Sequence, residues 1–171
     1  MSPVPSLSLG FGTAGFESRS AAVRSVREAL DVGYRHLDTA QQYNHSAAVG
    51  EAIAESDVPR EEIFVATKLH SKNLTHDAVL TETRAILDRL GLETIDLLYV
   101  HWPAHTYDPE ETFGAMGGLV ESGTVRRVGG CNFTVDLLRA ALAVSPLPLF
   151  AHPVGMSPFL APGELLGRCR R

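Results

Sequence analysis

The sequence has little of what defines a disulfide-stabilised or membrane protein. Only 2 of its 171 residues are cysteines, Cys131 and Cys169, and they do not have the spacing of a zinc site. No segment approaches the roughly 18 consecutive apolar residues of a transmembrane helix. The opening residues, MSPVPSLSLGFG, have neither the basic region nor the apolar run of a secretory signal. These absences predict a reduced, cytoplasmic location and no membrane partner.

The sequence also has no excess of positive charge. Lysine and arginine total 15 against 20 aspartates and glutamates, the formal net charge is -5, and the basic residues are scattered. Nucleic-acid binding needs a basic stripe to neutralise phosphates, so we expect no nucleic-acid partner. The hydrophobic fraction of 44% and the charged fraction of 20% are typical of a folded domain with its own core.

Short apolar runs alternate with longer stretches of helical period along the chain. The apolar runs are 34–38, 63–69, 95–102, 125–133 and, less clearly, 147–154. The helical stretches are 18–32, 46–56, 75–90, 108–122 and 134–144. Because runs such as 63–69 and 95–102 are mostly apolar and do not alternate with polar residues, both faces of these strands should be buried, as in a parallel sheet covered by helices. The pattern therefore predicts an α/β fold.

Local signals mark where several of these helices begin and end. Asp108 precedes Pro109 and stands three residues before Glu111, which is the pattern of a capping box with proline at the first helical position. Gly91 and Gly123 follow helical stretches where a residue in the left-handed conformation ends a helix. These signals support the helix assignments.

Polar residues recur where the apolar runs end. Asp38, Lys68, His101 and Asn132 follow one another at intervals of 30, 33 and 31 residues. This interval matches the βα unit of a (β/α)₈ barrel, in which about 250 residues form eight units. The carboxyl ends of neighbouring barrel strands meet at one face, so we expect these side chains around a common site.

Tyr43 follows Asp38 by five residues, in the loop after the same strand. A phenol has an ordinary pKa of about 10 and needs a nearby cation to act as an acid near neutrality. Lys68 is such a cation, and Asp38 would keep it charged inside a pocket. Taken singly, Lys68 suggests a surface residue and His101 a structural histidine. The near-constant spacing of the strand-end residues favours a different interpretation, in which Lys68 makes Tyr43 acidic enough to donate a proton. His101 would then bond to a substrate oxygen.

Five segments resemble, in the same order, the signature segments of the aldo-keto reductases. They are GFGT (10–13), YRHLDTAQQY (34–43), FVATKL (64–69), LLYVHWP (97–103) and VGGCNF (128–133). The resemblance covers nearly the whole chain. It implies a (β/α)₈ TIM barrel that reduces aldehydes or ketones with a nicotinamide cofactor, usually NADP(H), with NAD(H) as the alternative.

The resemblance also implies the roles of individual catalytic and substrate-binding residues. Tyr43 is the general acid, and Lys68 and Asp38 tune it. His101 orients the substrate carbonyl, and Trp102 matches a substrate-binding position of the family.

The cofactor-binding residues that the resemblance implies are Gly12, Thr13, Asp38, Cys131 and Asn132. Asn132 matches the position that holds the nicotinamide carboxamide. Cys131 stands where many members of the family have serine, so we expect a weaker contact there.

The chain departs from the family pattern toward its carboxyl end. Its length accommodates about five and a half βα units, without the family's basic residues for the 2′-phosphate of NADPH. Pro153, Gly155 and Ser157 replace three of the residues of a family segment, and Pro153 stands where a glutamine binds the carboxamide. We therefore expect residues 1–171 to form a partial barrel domain, truncated at the carboxyl end, that either folds poorly or associates through its exposed barrel edges with itself or with another barrel fragment.

Several alternatives stay open. GFGTAG (10–15) matches the dinucleotide fingerprint G-x-G-x-x-G, although helical period begins only after its third glycine. His101 and His105 are the tightest histidine pair, but Pro103 lies between them and we expect no metal. Lys68 could form a Schiff base, as in a lyase. The chain could also be a catalytically inactive barrel fragment with a structural or interaction role.

Overall fold

The computed structural model describes residues 9–154, within which five strands alternate with five α-helices. The strands are β1 (Phe11–Gly12), β2 (His36–Asp38), β3 (Phe64–Leu69), β4 (Leu97–Val100) and β5 (Val128–Gly130). The helices are α1 (Arg19–Asp31), α2 (Ser46–Ala54), α3 (His76–Leu90), α4 (Pro109–Glu121) and α5 (Val135–Val144). Short 3₁₀ turns over Gln41–Tyr43 and Arg60–Glu62 precede α2 and β3.

The order of the strands in the sheet is their order in the chain. All four pairings, β1 with β2 through β4 with β5, are parallel. Each helix packs against the next, so the helices follow the same order around the sheet. A dinucleotide-binding fold would instead place its first strand in the middle of the sheet. The dinucleotide alternative suggested by GFGTAG is therefore wrong, and the order is that of a (β/α)₈ barrel.

Both faces of the sheet are buried, each against different groups. One face carries Leu37, Val65 and Leu98 and packs with the helices in the main hydrophobic core. The opposite face carries a smaller cluster, none of whose members is more than 3% exposed. Its members are Phe64, Ala66, Leu97, Tyr99 and Cys131. Because side chains alternate along a strand, Lys68 follows Phe64 and Ala66 on this second face, which faces the axis of the barrel.

The predicted helix signals at Asp108 and Gly91 are confirmed. Asp108 caps α4, and its Oδ1 accepts hydrogen bonds at 3.0 Å from the backbone N–H groups of Glu110 and Glu111, with Pro109 at the first position. Gly91 ends α3 with a φ of 64°, which a side chain would strain. Residues at the helix ends themselves thus determine where α4 begins and where α3 ends.

The last two apolar runs form less strand than the sequence predicts. β5 is confined to Val128–Gly130, and of the run 147–154 only Ala151 makes a bridge, to Gly129. Asn132 has a φ of 62°, and this left-handed conformation turns the chain out of the sheet after β5. Gly155 and Ser157 lie outside the described residues.

A buried carboxylate joins three strands at the end of the sheet opposite Lys68. Asp96 is 3% exposed and precedes β4. It accepts hydrogen bonds from the backbone N–H of Val65 at 3.0 Å and from Arg60 at 2.8 Å, and Arg126 pairs with it at 3.1 Å. A buried charge needs such partners, and here they fix the amino ends of β3, β4 and β5 relative to one another.

Candidate active site

Lys68 lies near the carboxyl end of β3 and is only 6% exposed. Its ammonium forms an ion pair with Asp38 Oδ1 at the end of the neighbouring β2. The same Nζ donates a hydrogen bond to the carbonyl oxygen of Thr39 at 2.9 Å. These acceptors replace the water that a buried ammonium loses. They hold the charge of Lys68 in one position between the two strands.

Tyr43 lies beside this ammonium. The chain leaves β2 and enters the 3₁₀ turn over Gln41–Tyr43, closed by a 3.1 Å hydrogen bond from the Tyr43 N–H to the Ala40 carbonyl. Lys68 Nζ lies 5.3 Å from the centre of the Tyr43 ring. The Tyr43 ring also meets the His101 ring edge to face, with centroids 5.8 Å apart. The structure thus brings together Asp38, Lys68, His101 and Tyr43 from three successive βα units.

His101 follows β4 and is 6% exposed. Within residues 9–154 its Nδ1 is buried without a hydrogen-bond partner. Burial is the main cause that lowers the pKa of His101 to about 4, and the positive charge of Lys68 acts in the same direction against the smaller effect of Asp38. The imidazole is therefore neutral at pH 7, with one N–H to donate and one nitrogen lone pair to accept.

We expect the fold to lose stability as the pH falls from about 6.5 toward 4. Burial lowers the pKa of His36 and His152 as well as that of His101. The unfolded chain takes up protons at these histidines at higher pH than the native chain. Their contribution to the free energy of unfolding is thus fully present above the unfolded pKa and is lost as the pH falls. For His101 the loss is about 3 kcal/mol. Urea denaturation across this pH range measures it.

Paired carboxylates also take up protons in acid, so variants are needed to isolate the histidines. His101→Asn should flatten the dependence of the free energy of unfolding on pH. His76→Asn should change it much less, because the His76 side chain is 55% exposed and its ion-pair partner Asp77 is 97% exposed. An identical pH dependence in the wild-type chain and in His101→Asn would show that the buried imidazole is not responsible.

Asn132 and Cys131 follow β5 and lie next to the β4 end of the site. Asn132 Nδ2 donates a hydrogen bond to the carbonyl oxygen of His101 at 2.9 Å, and its backbone N–H donates to the Pro153 carbonyl at 3.3 Å. Cys131 is 3% exposed, and burial is the main cause that raises the pKa of its thiol to about 12. Cys131 is therefore a neutral thiol and a weak hydrogen-bond donor at physiological pH.

Gly12 and Thr13 lie at the end of β1, beside Asp38. Gly12 pairs with Asp38 in the sheet, and the Thr13 N–H donates to the Asp38 carbonyl at 3.0 Å. The Thr13 side chain is fully buried, and its hydroxyl has no hydrogen-bond partner within the described residues. A Cβ added at Gly12 would meet no atom of the described residues within 4 Å, so they leave space beside the backbone there.

Trp102 is 51% exposed in the loop after β4, next to His101. A second loop supports this one: Ser71 Oγ lies 2.9 Å from His105 Nδ1, and the Thr106 N–H donates to the Ser71 carbonyl at 3.2 Å. The large indole surface is thus presented beside the candidate site on a loop tied to its neighbour.

Two residues make hydrogen bonds at this site that the sequence did not predict. One is Thr39, whose carbonyl accepts from Lys68. The other is Gln41, whose side chain hydrogen-bonds to both His70 and Glu82. Gln41 stands between Asp38 and Tyr43 in the segment DTAQQY, and this position was the only sequence signal that could have found it.

Residues 9–154 contain neither a cluster of metal ligands nor a membrane-spanning helix. Over this range no group of three or more His, Cys, Asp or Glu side chains is placed to hold a metal ion. None of the helices in the same range is long and apolar enough to cross a membrane.

Consecutive parallel βα units with charged and polar side chains at the carboxyl ends of the strands define a protein of the (β/α)-barrel class. The model of the Aldo/keto reductase family matches residues 8–171. The chain belongs to the aldo/keto reductase family, as the resemblance of its five segments indicates.

Curated relatives match most of this chain. The methylglyoxal reductase DkgB of Salmonella typhi is 36% identical over 154 residues, which are 88% of this chain and 58% of that protein. The morphine 6-dehydrogenase of Pseudomonas putida is 34% identical over 168 residues, which are 98% of this chain and 56% of that protein. The chain thus spans little more than half the length of these relatives.

Solved structures of the family superpose closely on the described units. An aldo-keto reductase of Bombyx mori in complex with NADP has a TM-score of 0.90 at 30% identity, covering 95% of this chain and 58% of that chain. An aldo/keto reductase of Brucella melitensis has a TM-score of 0.87 at 32% identity, covering 94% and 63%. The predicted (β/α)₈ TIM-barrel class, incomplete in this chain, is confirmed.

Proposed function

We propose that this protein reduces an aldehyde or ketone to an alcohol with a nicotinamide cofactor, and that Tyr43 donates the proton. The observation that carries the proposal is the Lys68 ammonium, paired with Asp38 and lying 5.3 Å from the centre of the Tyr43 ring. For an ammonium and a phenolate about 4 to 5 Å apart, at an effective dielectric of about 20, the attraction is about 3 to 4 kcal/mol, and it is offset in part by Asp38.

The nicotinamide, when bound, supplies the hydride that adds to the carbonyl carbon. Tyr43 breaks its O–H bond and gives the proton to the carbonyl oxygen, which becomes the alcohol hydroxyl. The phenolate that remains is stabilised by Lys68 and regains a proton from solvent. Because Asp38 and the Thr39 carbonyl hold Lys68 in place, this stabilisation needs no rearrangement during proton transfer.

His101 is suited to orient the substrate. A neutral imidazole donates a hydrogen bond without placing a second positive charge near Lys68, and the pKa of His101, lowered to about 4, keeps it neutral. The edge-to-face contact of the His101 and Tyr43 rings allows both to approach one carbonyl oxygen. His101 would then align that oxygen with the Tyr43 hydroxyl.

The residues at the ends of β1 and β5 fit a nicotinamide cofactor. Among residues 9–154 the buried Thr13 hydroxyl has no hydrogen-bond partner, and the space that these residues leave at Gly12 allows a ligand to approach the backbone. The Asn132 amide makes one hydrogen bond to His101 and retains a donor and an acceptor for a carboxamide. Cys131 could offer only a weak S–H donor. We propose NADP(H) as the cofactor, as in the Bombyx mori complex.

The substrate class follows from the curated relatives and from Trp102. One relative is named for the reduction of methylglyoxal and another as a morphine 6-dehydrogenase. The exposed indole of Trp102 offers an apolar surface beside His101. We propose a small 2-oxoaldehyde or a related ketone as the substrate, and methylglyoxal as the first compound to test.

The surroundings of Lys68 favour this function over a Schiff-base lyase. A lysine that attacks a carbonyl needs a neutral amine with a free lone pair. Here the nitrogen donates hydrogen bonds to the Asp38 carboxylate and to the Thr39 carbonyl, and both acceptors stabilise the charged ammonium over the neutral amine. The arrangement suits electrostatic support of Tyr43.

The test uses the 171-residue chain with NADPH and, in parallel, NADH. We expect saturable quenching or enhancement of cofactor fluorescence, and loss of reduced-nicotinamide absorbance only when methylglyoxal is added. Failure of both cofactors to bind would favour the inactive barrel fragment. A borohydride-trappable adduct on Lys68 formed without nicotinamide would favour the lyase.

A further inference from the structure

Gln41 uses both ends of its side-chain amide in hydrogen bonds to the next βα unit. Its Oε1 accepts from the backbone N–H of His70 at 2.8 Å. Its Nε2 donates to Glu82 Oε2 at 2.6 Å. The amide therefore accepts a hydrogen bond from a loop and donates one to a carboxylate on a helix. A charged side chain of similar length could not do both, because an ionised carboxylate only accepts and an ammonium only donates.

The location of these partners connects Gln41 to Lys68. His70 directly follows β3, two residues beyond Lys68, and Glu82 lies on α3, the helix that follows β3. Gln41 itself begins the turn that ends at Tyr43. The amide thus joins the turn that carries Tyr43 to the unit that carries Lys68.

The other hydrogen bonds of this turn are internal. In the described part of the chain, the Tyr43 N–H donates to the Ala40 carbonyl at 3.1 Å, and the Asn44 N–H donates to the Gln41 carbonyl at 3.4 Å. These bonds shape the turn without attaching it to β3. Upstream, Thr39 is attached to β3 twice: its N–H donates to the Ala66 carbonyl at 2.9 Å, and its carbonyl accepts from Lys68 Nζ at 2.9 Å. Among residues 9–154, the Gln41 side chain is the hydrogen-bonded attachment to the β3 unit that lies nearest to Tyr43 in the chain.

We propose that Gln41 is a positioning residue that sets the distance between Tyr43 and Lys68. The inference rests on the proposed role of Tyr43 as proton donor, and it adds a residue that touches neither substrate nor cofactor. Its physical basis is that proton transfer depends steeply on placement, so that a displacement of about 1 Å costs up to about 10²-fold in rate.

A substitution at position 41 can remove one bond and keep the other. Gln41→Glu retains an oxygen for the His70 N–H but places a carboxylate against Glu82. Repulsion between the carboxylates should displace the turn and lower kcat by about tenfold. KM for NADPH should change much less than kcat, since four of the five residues expected to bind the cofactor lie at or just after the ends of β1 and β5, and the fifth, Asp38, is held by its ion pair with Lys68.

A second substitution should restore the bond in the opposite direction. In the double variant Gln41→Glu with Glu82→Gln, the amide at position 82 donates to the carboxylate at position 41. We expect kcat to recover to near the wild-type value. Glu82→Gln alone should have little effect, because Gln41 Nε2 still finds an amide oxygen there. A coupling energy between the two positions is measured by this cycle.

Magnetic resonance gives a measurement that does not depend on turnover. The Tyr43 and His101 rings lie 5.8 Å apart between centroids, and the Tyr107 and Phe133 rings of the core lie 5.5 Å apart. Gln41→Glu should weaken the proton cross-relaxation between Tyr43 and His101 and leave that between Tyr107 and Phe133 intact. Adding Glu82→Gln to this variant should restore the cross-relaxation between Tyr43 and His101. The core pair reports that the variants are folded.

Gln42→Glu is the matched control, because Gln42 belongs to the same turn and is exposed. This variant adds the same negative charge, but among the described residues it is Gln41 that bonds to Glu82 and not Gln42. The Tyr43–His101 contact and kcat should therefore not change. Any one of three results would overturn the inference. They are an equal loss of kcat in Gln42→Glu, an unaltered Tyr43–His101 ring contact in Gln41→Glu, and no recovery of kcat in the double variant. A wild-type chain without turnover would count against the proposed function alone, and the ring contacts would still decide the role of Gln41.

Discussion

Tyr43→Phe should lower kcat for carbonyl reduction by about 10²–10⁴-fold while the cofactor still binds. The substitution removes only the hydroxyl that donates the proton. The aromatic ring remains to contact Lys68 and His101, so the packing of the site is retained. Without the hydroxyl, the carbonyl oxygen must take its proton from water. Steady-state kinetics measure the loss, and a fluorescence titration with NADPH measures the retained binding.

Tyr34→Phe provides the control for loss of a phenol hydroxyl elsewhere in the chain. Tyr34 precedes β2 and packs edge to face against Phe11, with ring centroids 5.6 Å apart. It lies at the end of β2 opposite Asp38, so its hydroxyl takes no part in the proposed chemistry. We expect unchanged kcat. If Tyr43→Phe were as active as Tyr34→Phe, another group would have to be the proton donor.

Gly50→Ala should destabilise the fold by about 1–3 kcal/mol, because α2 crosses α3 in direct backbone contact. A Cβ at position 50 would lie closer to the Leu90 carbonyl oxygen than real Cβ atoms come to other atoms, and 2.8 Å from the Leu90 Cα. The atoms in the way belong to the backbone, so no side-chain rotation can relieve the overlap. Urea denaturation measures the change in the free energy of unfolding.

Gly114→Ala is the same substitution in a helix with room for it. Gly114 is an exposed residue of α4, and a Cβ there would meet no atom within 4 Å. Alanine favours a helix over glycine by about 0.5–1 kcal/mol, so this variant should be more stable than the wild-type chain. Two glycine substitutions with opposite signs would isolate the contact with Leu90. A loss of equal size in both variants would contradict it.

The polar ends of the strands were predictable because they depend on spacing. Intervals of 30 and 33 residues separate Asp38 from Lys68 and Lys68 from His101, and parallel pairing of consecutive strands places such residues at one edge of the sheet. The structure does bring these three side chains together with Tyr43. Their catalytic roles stay predictions that the experiments above test.

The hydrogen bonds of Gln41 could not be predicted in the same way. Its partners lie 29 and 41 residues away in the sequence, and a glutamine in a turn has no local pattern that names them. The short β5 was missed for a related reason. Apolar composition extends to Phe133, but the left-handed conformation of Asn132 ends the strand before it.

The sequence alone determined the α/β class, the repeat of the βα unit and the ends of helices such as α3 and α4. These depend on steric and hydrogen-bonding preferences that act over a few residues. Only the tertiary structure decided that burial lowers the pKa of His101 to about 4, that Lys68 is held by Asp38 and Thr39, and that Gln41 bonds to the β3 unit. Desolvation and charge–charge interaction depend on every neighbour in space, and most of those neighbours are distant in the chain.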